Sequence, residues 1–167
     1  MEKLKTLREK GGLILTGVIA LNLLLYVAHS LFAGLEVTAG LVVGAASLAA
    51  VAFLYWQNKG KAISGHAVAI GLMFSVALIL YSYRGSEWQV DVHMYFFAAL
   101  AMLAVFVDRG VILTATVFVA VHHLGLNFLL PEFIYPGGSD FGRVVLHAVI
   151  LVLEAGILLW LIDTVTK

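Results

Sequence analysis

Cysteine is absent from this chain. That absence excludes disulfides, thiolate-ligated metals, iron–sulfur clusters and the covalent attachment of c-type haem. Charge is scarce: only 12% of the residues are Asp, Glu, Lys or Arg, and ten basic side chains are balanced by ten acidic ones. Such a balance leaves no electrostatic footprint for nucleic acid. Proline occurs only at Pro131 and Pro136, in a single connecting stretch. There is no Ser/His/Asp set, no phosphate loop and no soluble domain, so the chain does not read as an enzyme. Internal repeats and low-complexity tracts are also missing.

Apolar side chains fill the 167 residues. The sequence is 62% hydrophobic with a mean hydropathy of +1.04. Soluble domains are about half apolar and a quarter charged, so this composition is that of an integral membrane protein. A bilayer core is crossed by roughly 20 apolar residues. Six segments approach that length: 12–33, 37–56, 66–83, 90–107, 111–130 and 143–162, the fourth being the shortest. Only helices and closed barrels satisfy the backbone in lipid, and barrel-type alternation is missing. The expected fold is an all-α integral membrane bundle of six transmembrane helices, one domain over residues 1–167, with 1–11 as a cytoplasmic N-terminal segment. The first span is too long for a signal-peptide core and has no small-residue cleavage pattern, so it reads as a retained helix.

Orientation follows from the basic residues. A cytoplasmic N-terminus puts Lys3, Lys5, Arg8, Lys10, Lys59, Lys61, Arg109 and Lys167 inside and leaves Arg84 and Arg143 outside. Both termini are then cytoplasmic. Short connections make consecutive helices antiparallel neighbours. The longest outer loop, 131–142, reads as a stiff connector or a lid over an outer-leaflet site, and its Ser139-Asp140 pair fits an N-cap for the sixth helix.

Histidine is the informative residue. Five of the six, His29, His93, His122, His123 and His147, fall in the outer half of four different helices, in a slab about 5–12 Å below the outer interface. His66 stands alone at the inner end, where an ordinary interhelical hydrogen bond is the better reading. Such bonds contribute about 0.6 kcal/mol on average. Helical spacing puts Asn22, Tyr26 and His29 on one stripe and Thr116, His123 and Asn127 on another, with His122 about 100° away. Arg143, His147 and Glu154 lie within about 40° of one another. Polar side chains in hydrocarbon normally face the bundle interior, so these stripes should converge. Because His122 and His123 are adjacent, only one of them is expected as a core ligand.

Two imidazoles from different helices can hold b-type haem axially. Arg143 and Arg84, the only outer cations, would then face its propionates, and Phe96, Phe97, Phe118 and Phe128 are candidates to face the porphyrin. The competing ligand is a copper or zinc ion held by His93, His122, His123 and His147, with Glu154 or Asp91 available. Met94 and Met102 alone make a weak Cu(I) set. Asn127 and Glu154 are expected to support the ligands. Glu154, near mid-membrane, alternatively serves as a proton relay or a transporter's coupling residue. The expected cofactor is haem b, with copper or zinc as the alternative.

Three stretches carry a family resemblance: 88–100 (Trp-Gln-Val-Asp-Val-His-Met-Tyr-Phe-Phe-Ala-Ala-Leu), 122–131 (His-His-Leu-Gly-Leu-Asn-Phe-Leu-Leu-Pro) and 135–147 (Tyr-Pro-Gly-Gly-Ser-Asp-Phe-Gly-Arg-Val-Val-Leu-His). They resemble the membrane-embedded N-terminal sensory regions of some bacterial methyl-accepting chemotaxis proteins. The likeness covers about residues 88–154, while the first three helices share only the layout. It implies a dimeric sensory module of the bacterial inner membrane, joined to a cytoplasmic signalling domain in cis or served by a partner protein. The linker and methylated helices of that family do not appear before Lys167, so a truncated sensor and a free-standing copy are both open readings. A sensor would signal through the sixth helix, which carries His147 and ends at 161–167. An electron carrier is disfavoured because the inner half offers only His66 for a second haem. A metal transporter is disfavoured because neither a broken helix nor an inner polar path is evident.

Overall fold

The computed structural model describes residues 2–133 and 140–167. Among them there is no strand, and the order is α1 (Glu2–Phe32), α2 (Thr38–Gln57), α3 (Ala62–Ser82), α4 (Gln89–His93), α5 (Tyr95–Met102), a 3₁₀ turn at Leu103–Phe106, α6 (Arg109–Leu129), a 3₁₀ turn at Pro131–Phe133, and α7 (Phe141–Val165). Taking Gln89–Phe106 as one unit, six spans are long and apolar enough to cross a membrane. The Tyr135–Pro136 region and Ser139 of the outer loop lie outside the described residues.

Helix α1 starts at Glu2, so residues 2–11 are helical and form its first turns. The reason is local. Residues 2–10 contain neither glycine nor proline, and Lys5 and Glu9 pair at 3.9 Å one turn apart, which supports a helix surface. At 31 residues, α1 extends well past the roughly 30 Å hydrocarbon core. The connection to α2 is capped by Glu36, whose carboxylate accepts from the Thr38 N–H at 2.6 Å. Hydrogen bonding from the Thr38 side chain, and then from its N–H, holds the exposed carboxyl below its ordinary range.

Helix α3 is the centre of the bundle and packs against α1, α2, α5 and α6. Small residues make this possible, since close backbone approach drives helix association in lipid. A Cβ at Gly65 would stand 2.7 Å from Val111 Cγ2, and one at Gly71 would collide with Val51. The core around α3 is apolar and tightly shut, with Val68, Leu72, Met73, Val76, Leu80, Leu100, Leu103 and Ile112 all buried.

The fourth span is interrupted, against the sequence expectation of unbroken helices. At Met94 the N–H donates to Asp91 O (3.1 Å), and Phe97 N–H donates to Met94 O (3.2 Å). This is 3₁₀ spacing, which rises faster than an α-helix. A second 3₁₀ turn at Leu103–Phe106 ends the span. Over those four residues the faster rise adds about 2 Å to the shortest of the six spans. Val107 then takes a left-handed conformation (φ 46). Arg8 reaches across from α1 to cover the exposed carbonyls, donating to Phe106 O (2.6 Å) and Val107 O (2.9 Å). Asp108 caps α6 by accepting from Gly110 N–H at 2.9 Å.

Helix α7 lies on one side of the bundle against α5 and α6. Asp140 caps it by accepting from Arg143 N–H (3.0 Å). Asn127 holds that turn in place, its Oδ1 accepting from Asp140 N–H (3.1 Å). At the other end, Arg109 and Asp163 form an ion pair at 2.5 Å.

Candidate functional site

Three histidines from three helices meet where the fourth span is interrupted. His93 closes α4, His123 lies on α6 and His147 on α7. Their ring centroids are 4.7 Å (His93–His123), 5.0 Å (His93–His147) and 5.7 Å (His123–His147) apart. His93 and His123 are buried, at 1% and 6% exposure, and His147 is partly buried. Phe96 and Phe97 wall the cluster, with Phe97 stacked on His147 at 6.2 Å. A cavity of about 130 Å³ opens among them, lined further inward by Thr116, Val119 and Leu151.

Hydrogen bonds decide the tautomers. His123 Nδ1–H donates to Val119 O (2.8 Å), and His147 Nδ1–H donates to Arg143 O (2.8 Å). In each case the acceptor is a carbonyl one turn earlier on the same helix, and in each neutral ring the Nε2 keeps its lone pair. His93 Nε2 stands 2.6 Å from His123 Nε2; since the latter accepts, His93 donates. Tying the remote ring nitrogen to a backbone carbonyl is how metal-ligating histidines are usually oriented. As the rings stand, no three His, Asp or Glu among the described residues converge closely enough to form a finished metal site. One proton occupies the space between His93 and His123.

Between His93 and His123 as they stand there is no room for a porphyrin. Axial ligation of one iron sets two imidazole nitrogens about 4 Å apart across a flat macrocycle, whereas here they are 2.6 Å apart and in direct contact. The 130 Å³ cavity also falls below the roughly 300 Å³ at which small-molecule pockets begin.

The remaining sequence candidates disperse. His29 Nδ1 bonds to Ser82 Oγ (3.0 Å) and its ring stacks on Tyr83 at 3.6 Å. Because the Ser82 hydroxyl donates to Ile79 O, His29 is the donor. Its stripe-mates also serve helix packing, with Asn22 Nδ2 donating to Ser75 Oγ of α3 (2.9 Å) and the buried Tyr26 set against Gly40 of α2. Arg84 lies over the Tyr81 ring (4.2 Å) and bonds Tyr81 O. Arg143 pairs with Asp140 at 3.0 Å. His122 turns away from the cluster toward α3, its ring 5.5 Å from His123 and 5.0 Å from Phe96. Asn127 braces the start of α7 and does not touch the rings. Glu154 lies two turns inward of His147, partly buried, and its buried Oε2 has no hydrogen-bond partner among the described residues. Asp91, Met94 and Met102 are exposed, and so is Phe128, which rests near Phe141. His66 bonds Thr114 Oγ1 at 2.8 Å, which suits an interhelical tie.

Sequence reasoning overlooked Gln89, which is fully buried one turn before His93 and accepts from Gly85 N–H (2.9 Å). The signal was available: a glutamine four residues ahead of an intramembrane histidine shares its helix face. Tyr95 was also missed. Its hydroxyl crosses to Asn22 Oδ1 (3.0 Å), next to the Met94 interruption.

Compared with protein-family models, curated proteins and solved structures, the chain matches none significantly.

Proposed function

We propose that the chain is a membrane sensory module in which His93, His123 and His147 bind one transition-metal ion, Zn²⁺ or Cu²⁺, near the outer surface of a bacterial inner membrane. The observation that carries the reading is the meeting of three imidazoles from three helices, two of them presenting Nε2 lone pairs with Nδ1 anchored. Metal–nitrogen bonds of about 2.1 Å at tetrahedral angles put ligating nitrogens about 3.4 Å apart and ring centroids about 5.3 Å apart. The centroids already have that spacing. Binding would move the His93 proton from Nε2 to Nδ1, freeing a third Nε2 lone pair, and would open the His93–His123 contact by less than about 1 Å. Three protein ligands leave a fourth position open to a water or a small exogenous ligand.

Sensing is favoured over transport by the packing on the inner side. Leu100, Leu103, Ile112 and Ala115 are fully buried there and offer no polar route. The interrupted fourth span brings His93 to the site and does not continue as a channel. Signal would pass through α7, which carries His147, faces its neighbours on one side only and runs to the C-terminal end of the chain. An ion moves that helix only by binding one arrangement more tightly than another. The resemblance of residues 88–154 to chemotaxis sensory regions supports the same assignment, with a homodimer and a cytoplasmic signalling partner as its natural setting.

The test is metal titration of detergent-purified protein by calorimetry and elemental analysis. Wild type should take up one ion per chain. His93→Ala and His147→Ala should lose at least tenfold in affinity, in keeping with removal of a ligand, while His29→Ala should bind normally. Equal uptake by all four proteins would refute the assignment. An absorption spectrum before and after dithionite tests the haem alternative on the same samples. A Soret band that depends on His93 and His147 would return the site to haem.

A further inference from the structure

A second site lies on the opposite side of α6. Between α3 and α6 runs an apolar groove of about 940 Å³, at the upper end of the size range of small-molecule sites. Phe74, Tyr81, Phe118 and Phe133 supply aromatic faces, and Gly125 forms an open part of the wall. The polar group of note is His122, whose Nε2 is buried and has no hydrogen-bond partner among the described residues. An imidazole in hydrocarbon without a partner is costly and marks a functional position. Its depth narrows the ligand. His122 is seven residues from the end of α6 at Leu129, about 10 Å along the axis. Phospholipid polar groups stay at the interface, so an acyl chain in this groove would leave the imidazole unsatisfied.

We infer that the groove binds a lipid-soluble quinone, its flat ring among the aromatic side chains and one carbonyl oxygen accepting from the His122 imidazole. A quinone carries a hydrogen-bonding oxygen on an otherwise apolar body, and its headgroup travels at hydrocarbon depth. This site does not depend on the metal reading. Phe96 lies between the two, 5.0 Å from His122 and 5.8 Å from His93 and His123, so an occupant of the groove would press on the wall of the histidine cluster.

The probe is a ubiquinone analogue with a decyl tail, added to the full chain in nanodiscs. Binding is followed by equilibrium partitioning and by the infrared carbonyl stretch of the bound probe. Wild type should bind saturably and shift the stretch downward. His122→Leu should weaken binding about tenfold, the effect of one hydrogen bond to a buried group, and abolish the shift. Gly125→Phe should block the groove, because a side chain there enters open space and clashes with nothing. Unchanged helical circular dichroism and unchanged Zn²⁺ uptake in both variants would separate a lost quinone site from a lost fold. The inference is overturned if both variants bind the probe as wild type does, or if phosphatidylglycerol or stearate competes equally for the groove. Loss of metal binding with quinone binding intact would leave it standing.

Discussion

Asn22 shows what a polar side chain does in this bundle. It donates to Ser75 and accepts from Tyr95, while Ser75 passes its own proton to Leu72 O at 2.8 Å. One amide thereby ties α1 to α3 and to the start of α5. Asn22→Leu should cost about 1–2 kcal/mol, because it orphans the Tyr95 hydroxyl and removes the donor to Ser75 Oγ, whereas Tyr95→Phe should cost about 0.6 kcal/mol. Thermal unfolding in detergent checks both. The histidines divide on the same principle. His29 and His66 each find a serine or threonine hydroxyl on a neighbouring helix, and that satisfies them. His93, His123 and His147 instead bring their rings within 4.7–5.7 Å of one another, which is why the candidate site is there.

At the scale of elements, the weakest construction is the end of the fourth span. A 3₁₀ turn there leads to Val107, a β-branched residue with positive φ, a conformation that costs about 1–2 kcal/mol for an L-residue. Arg8 holds it by donating to two carbonyls there and pairing with Asp108 at 3.6 Å. Arg8→Ala should destabilise the protein by about 1.5–3 kcal/mol, the value of hydrogen bonds to a charged donor. It should also speed amide exchange through the Leu103–Phe106 turn. Lys10→Ala, a surface change, should stay within about 0.5 kcal/mol. Hydrogen exchange read by mass spectrometry, alongside unfolding, distinguishes the two. The same span is broken at Met94, beside His93, and this is the discontinuity that aims His93 at α6.

For the molecule as a whole, one end is basic and the other is not. Arg8, Lys59, Lys61 and Arg109 gather where α1 begins, α2 meets α3 and α6 starts, with Lys59 3.4 Å over the Trp56 ring. An aromatic ring beside a cation at a span end suits the membrane interface. We expect this end to face the cytoplasm. The natural absence of cysteine makes the test clean. Lys61→Cys should be shielded from an impermeant maleimide in intact cells, and Glu87→Cys should react. The reverse pattern would invert the topology and put the histidine cluster on the inner leaflet.

Much of this architecture was legible beforehand. Six apolar runs separated by short polar connections determined six spans, because lipid leaves the backbone no alternative to the helix. The position of each histidine along its span was equally plain, since that is a matter of counting residues. Rotation and partnership were not. Helical spacing put Asn22, Tyr26 and His29 on an inward stripe, correctly, but inward from α1 means toward α3 and Ser82, not toward His93. The break at Met94 carries no proline or glycine to announce it. The sequence by itself determined how many spans there are and how far along its span each polar residue sits. Only the tertiary structure decided which polar atoms meet, because that depends on the order of helices around α3 and on side-chain contacts between segments far apart in the chain.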